Sequence, residues 1–242
     1  NVLQIRTAQL TQEEAPQMRP IRKQIFLVPG AAASATFWDN FTNVAKEDPR
    51  LAGSDVVRFT HPTGWFSSPD IKTIASDLAK KIVAKSDVET HLICHGVGAV
   101  ICQDAVLQTL RSGHSQALNV GRIVLLSPPT SSWDLGIFGE LPKQSVTKVP
   151  GADLSYLANL QKEWFLRVKD GGDPLVPSAF KKGIKVLAVF GSEDHVVTKG
   201  VSDRLFDKVA IVPGTHVGVA QPSSRQDLTY QLVTGEIFKE TR

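Results

Sequence analysis

Short, mostly uninterrupted apolar runs, each closed by a turn, recur along this chain and leave it few possible folds. Gln24 to Val28 (QIFLV) stops at Pro29 and Gly30, and Asp55 to Phe59 (DVVRF) is followed by His61 to Gly64 (HPTG). Thr90 to Cys94 (THLIC), Arg122 to Leu126 (RIVLL), Lys185 to Phe190 (KVLAVF) and Ala210 to Val212 (AIV) repeat the pattern. A strand with one wet face alternates apolar and polar residues. These runs do not, so both of their faces are buried. Between them lie helical patterns at Phe37 to Lys46, Ile71 to Ala84, Val97 to Leu110 and Arg225 to Phe238. In the second, Ile71, Ile74, Leu78 and Ile82 share one face, and Ser68 to Asp70 supplies its capping region. Strands alternating with helices predict a mostly parallel sheet covered on both faces, a three-layer α/β sandwich.

At 242 residues the chain fits one such domain spanning 1–242. Residues up to Arg22 are polar and read as an arm, with one edge strand at Val2 to Ile5. The stretch from Thr130 to Gly183 is too long for a plain connection and predicts a functional excursion, a lid. Its helix, Asp153 to Val168, carries Leu154, Leu157, Trp164 and Leu166 as apolar positions. The net charge of +3 gives no ground for nucleic-acid binding. No run approaches the roughly 18 apolar residues of a membrane helix, and no signal peptide opens the chain. A start at Asn1 without Met fits a domain of a larger protein or a processed chain. Cys94 and Cys102 lie in apolar segments and read as buried reduced thiols, which implies a reducing, cytoplasmic compartment.

In open α/β sheets ligands bind beyond the carboxyl ends of the strands, so the residues to weigh are those that follow each run. The first is followed by Pro29, Gly30 and Ala31, and Cys94 by His95, Gly96, Val97 and Gly98. Phe190 leads to Gly191, Ser192, Glu193 and Asp194, and Val212 to Pro213, Gly214, Thr215 and His216. A turn, an acid and a histidine arrive in the chain order of a nucleophile-elbow hydrolase.

On these residues the chain resembles the α/β-hydrolase superfamily, and within it the lipase-like serine esterases. Their elbow reads small-His-Ser-x-Gly-small; here it is Cys94-His95-Gly96-Val97-Gly98-Ala99. The Asp194 loop (VFGSEDHVV) and the His216 loop (VPGTH) are similar to the acid and histidine loops of that group, as is Phe37 to Gly64. The resemblance covers Ile25 to the C-terminus. It implies an α/β-hydrolase sandwich with a helical lid-like insertion, an acid at Asp194, a base at His216, and an oxyanion hole from the Ala31 and Val97 N–H groups. The ligand it implies is a small-molecule ester or acyl compound. Two departures stand out: the nucleophile position holds Gly96, and Pro29 replaces the usual histidine of the oxyanion loop. Without a nucleophile only the small rate enhancement of binding and oxyanion donors remains, so the chain is expected to be inactive. Glycine takes positive φ freely, so the turn survives the loss of its chemistry. The sequence leaves open an engineered knock-out and a natural pseudoenzyme. It also leaves open two function classes: an esterase lacking its nucleophile, and a non-catalytic binding or sensing domain.

Other residues compete for these roles. Ser115, in GHSQA, follows a helix rather than a strand and does not fit an elbow. Cys94 points into packing, and His195 is the neighbour that faces away when Asp194 faces the site. His95 reads as a supporting residue beside the turn. Trp133 opens the insertion just after a strand and is expected to line the pocket, whereas Trp164 belongs to the core of the insertion helix. No metal spacing, phosphate loop or dinucleotide loop occurs, so no cofactor is implied.

Overall fold

The computed structural model describes residues 22–30, 33–60, 70–114, 118–130, 154–168, 184–197 and 205–239. In chain order the elements are β1 (Lys23–Val28), α1 (Asp39–Lys46), β2 (Asp55–Arg58), α2 (Ile71–Val83), β3 (Glu89–His95) and α3 (Val97–Arg111), followed by β4 (Val120–Leu126), α4 (Leu154–Arg167), β5 (Lys185–Gly191), β6 (Lys208–Val212) and α5 (Leu228–Ile237). The strands form one sheet in the order β2-β1-β3-β4-β5-β6. Every neighbouring pair is parallel. The expected parallel sheet is therefore present.

Uniformly apolar strands are needed because each strand feeds two cores. Along β1, Phe26 and Val28 pack on one face while Ile25 and Leu27 pack on the other. β3 divides likewise, with Leu92 and Cys94 opposite Ile93, and β4 sets Ile123 and Leu125 against Val124 and Leu126. The first face is covered by α2, α3 and α4, the second by α1 and α5. This is the side-chain period of two acting in central strands with no wet face.

Local signals set the helix starts. Asp70 caps α2 by accepting the Lys72 N–H at 2.6 Å. Asp227 caps α5 by accepting the Thr229 N–H at 2.9 Å. That cap starts the last helix at Leu228, three residues after the start expected from periodicity alone.

The insertion helix α4 lies along α3. Tyr156 donates its hydroxyl to Asp104 at 2.8 Å, and Arg111 Nε donates to both Glu163 oxygens at 2.9 and 3.0 Å. Leu157, Leu160, Trp164 and Val168 bury into the α3 side of the core. At 1.5 Å per residue, Asp104 and Arg111 are about 10 and 20 Å down α3 from Val97. α4 thus buttresses the far part of α3. The rest of the insertion, on which the lid expectation turns, lies outside the described residues, as do the arm, the Val2 to Ile5 strand and Ser115.

Candidate active site

The order of the strands places the site. β2 lies on one side of β1 and β3 on the other, so the winding direction reverses between β1 and β3. At such a switch point the loops diverge and leave a crevice beyond the carboxyl ends of the strands. Val28 and Cys94 are paired at those ends, and the residues that follow are Pro29-Gly30 and His95-Gly96.

The turn from β3 into α3 is sharp because of two glycines. Gly96 has φ 53° and ψ −125°, a conformation that L side chains rarely adopt. Its N–H donates to Leu126 O at 2.9 Å, and its carbonyl accepts the Ala99 N–H at 2.9 Å. Gly98 is required for a different reason. A Cβ there would stand 2.5 Å from Pro29 O and 2.6 Å from Val28 O, so only glycine lets α3 begin against the end of β1. The resulting strand, turn and helix have the geometry of a nucleophile elbow with no side chain at its apex. The Val97 N–H sits at the first turn of α3, where the helix leaves amide donors and the positive end of its dipole.

Asp194 and His216 meet. His216 Nδ1 is 3.0 Å from Asp194 Oδ2, although the two stand on loops after different strands. The acid is held on its other oxygen as well: Asp194 Oδ1 accepts the Val196 and Val197 N–H groups, each at 2.9 Å. Burial pushes the carboxyl pKa up. Hydrogen bonds, first from His216 and then from the Val197 N–H, outweigh it and bring the value to about 2. Asp194 is therefore ionised at neutral pH and orients the ring through its Nδ1 proton. In the neutral ring that tautomer leaves Nε2 as the proton-accepting nitrogen. The His216 side chain keeps 12% of its surface exposed, against 1% for Asp194, so the imidazole reaches solvent while the carboxylate is sealed.

His95 acts beneath the pair. Burial, then repulsion from a charged His216, lowers its pKa to about 3, so it is neutral. Its Nε2 is 2.9 Å from His216 O; a carbonyl only accepts, so this nitrogen carries the proton and donates. The His95 ring also packs on His216, with centroids 4.7 Å apart, and on Phe37 at 4.8 Å. The supporting role expected for His95 matches this geometry.

The sequence reading brought together Gly96, Val97, Asp194 and His216, and the fold gathers them at one end of the sheet. Ala31 and Trp133 lie outside the described residues. One expectation is overturned. Cys94 and Cys102 are not reduced thiols but a disulfide, with Cα atoms 6.7 Å apart. The physical reason is the elbow itself: it folds the second turn of α3 back onto the end of β3, within bridging range. The reducing, cytoplasmic compartment rested on free thiols and loses that support. A residue the sequence reading missed is Ser127, buried immediately after β4 with φ 46°. The only sequence signal at that position is its place at a strand end before Pro128 and Pro129. Among the described residues no cluster of three or more metal-ligating side chains occurs, and no helix is long and apolar enough to cross a membrane.

No protein-family model and no curated protein matches the sequence. Solved structures do. The type II thioesterase BorB from the borrelidin biosynthetic cluster is similar over 93% of this chain and 94% of its own, with TM-score 0.57 and 17% identity. An α/β-hydrolase from the metagenome of lagoon sediments at Mar Chica, Morocco, is similar over 90% of both chains, with TM-score 0.58 and 12% identity. An extracellular α/β-hydrolase from a Paenibacillus species is similar over 90% of this chain and 99% of its own, with TM-score 0.52 and 15% identity. With the parallel sheet and the strand–turn–helix at the switch point, these likenesses define the class: the chain has the α/β-hydrolase fold. The structures it resembles include hydrolases, an esterase-related protein and thioesterases.

Proposed function

We propose that this chain is a serine-esterase-like α/β-hydrolase domain without its nucleophile, which keeps the site as a binding pocket for an ester or acyl ligand. The observation that carries the reading is the Asp194–His216 pair, intact at 3.0 Å, beside an elbow whose apex is glycine. The ligand carbonyl oxygen is received by the Val97 and Ala31 N–H groups, the first of them at the positive end of α3. Trp133 contributes apolar surface to the pocket. His216 Nε2 stands ready to take a proton, and Asp194 holds the ring. No side chain at residue 96 can attack the carbonyl, so no acyl-enzyme forms.

The test is to supply the missing group. Gly96→Ser gives the turn a hydroxyl for His216 to deprotonate, and the variant is expected to hydrolyse a short p-nitrophenyl ester that the native chain leaves untouched. Serine at φ 53° also carries backbone strain, so the variant should be less stable by about 1–3 kcal/mol. A Gly96→Ser protein that folds, keeps the Asp194–His216 bond and neither binds nor hydrolyses esters refutes the reading.

A further inference from the structure

Ser127 combines three features that a turn residue does not need. It is fully buried, its φ of 46° is the positive value found at a non-glycine residue among those described, and its Oγ meets no partner at full hydrogen-bond geometry. A buried hydroxyl left in this way is costly, and so is left-handed backbone in a residue with a Cβ. Glycine would relieve both costs.

Its backbone ties it to the surroundings of the acid loop. The Ser127 N–H donates to Val189 O on β5 at 2.7 Å, which ties the end of β4 to the strand that leads into the acid loop. The carbonyl just before it, Leu126 O, accepts the elbow N–H of Gly96 at 2.9 Å. The Asp194 N–H bonds back to Gly191 O at 3.2 Å, so the acid loop turns tightly at the end of β5. Ser127 therefore sits where the elbow, the end of β4 and the acid loop converge.

We propose that Ser127 is a positioning residue for Asp194: its left-handed backbone turns a buried hydroxyl toward the carboxylate, where it adds a donor to those of Val196, Val197 and His216. The hydroxyl acts through the acid and does not touch the ligand. This inference rests on the reading of Asp194 and His216 as the acid–base pair of the site. The groups that hold the Asp194 carboxyl down include Ser127, in agreement with that placement.

Ser127→Gly tests it cleanly, because glycine accepts the positive φ and only the hydroxymethyl group is lost. Carbon-13 NMR of the side-chain carboxyls follows Asp194 in the otherwise native chain, with its signal assigned by its absence in Asp194→Asn. The expected result is protonation of Asp194 beginning about one pH unit higher in S127G, with the melting temperature unchanged or raised. A purely structural serine would leave the titration where it was, and coincident titration curves overturn the proposal. A crystal structure of the native chain gives a second measurement. Ser127 Oγ within about 3.2 Å of an Asp194 oxygen supports the proposal, and a hydroxyl turned to another partner overturns it. Neither measurement needs turnover, so an inactive Gly96→Ser variant would weigh against the functional reading while leaving Ser127 to be judged separately.

Discussion

Gly191→Ala is the substitution that most directly probes how the acid and histidine loops are held together. Gly191 closes β5, and a Cβ built on it would stand 2.2 Å from Gly214 O, 2.9 Å from Gly214 C and 3.1 Å from Thr215 O. All three are backbone atoms of the loop that carries His216, so no side chain can swing aside. Ordinary carbon contacts begin near 3.5 Å, so the histidine loop must retreat by about 1.3 Å. The hydrogen bonds that stitch the loops, Ser192 N–H to Val212 O at 2.8 Å and Glu193 N–H to Gly214 O at 3.0 Å, stretch with it. Overpacking costs about 1–3 kcal/mol and one lost backbone hydrogen bond about 1 kcal/mol, together about 2–4 kcal/mol. For a chain of this size that lowers the melting temperature by about 4–16 °C. The same movement carries Asp194 and His216 beyond hydrogen-bonding distance. Circular dichroism reads the melting temperature, and proton NMR reads the low-field imidazole N–H that the pair protects. A variant that melts within 2 °C of the native chain and keeps the low-field proton, a shift below the range expected here, would show that the two loops have slack.

Two further outcomes follow from the same geometry. His95 is neutral in the fold, with a pKa near 3 against an ordinary 6.5, so below pH 6.5 the unfolded chain binds the extra proton and stability falls as pH drops toward 3. His95→Gln keeps a donor for His216 O and cannot titrate; urea unfolding at pH 6.5 and pH 4 should show a loss on acidification smaller by on the order of 3 kcal/mol than in the native chain. Removing the Cys94–Cys102 bridge by the double change to alanine should cost about 2.5 kcal/mol, the closure entropy of a loop of 8 residues, and the native chain denatured without reductant should show no free thiol.

Much of the fold was legible because its signal is local. The runs at Ile25, Leu92, Ile123 and Val186 are apolar on both faces, which a parallel sheet requires. Their spacing by helical patterns then leaves few topologies. Element ends were less legible. α5 begins where Asp227 caps it, which periodicity does not register. The Asp194–His216 pair was legible by chain order, since each residue follows a strand. The disulfide was not. Cys94 and Cys102 are eight residues apart, on a strand and a helix, and nothing in their spacing says that the elbow doubles back.

The layering, the glycine at residue 96 and the strand-end loops that carry Asp194 and His216 are written in the sequence, because each depends on residue type and near neighbours. Packing between distant segments set the rest: α4 braces α3, His95 donates to the His216 carbonyl, and Gly191 must lack a Cβ. Each of these is a distance between segments far apart in the chain. Such distances are set by how the two faces of the sheet pack, and no local pattern encodes them.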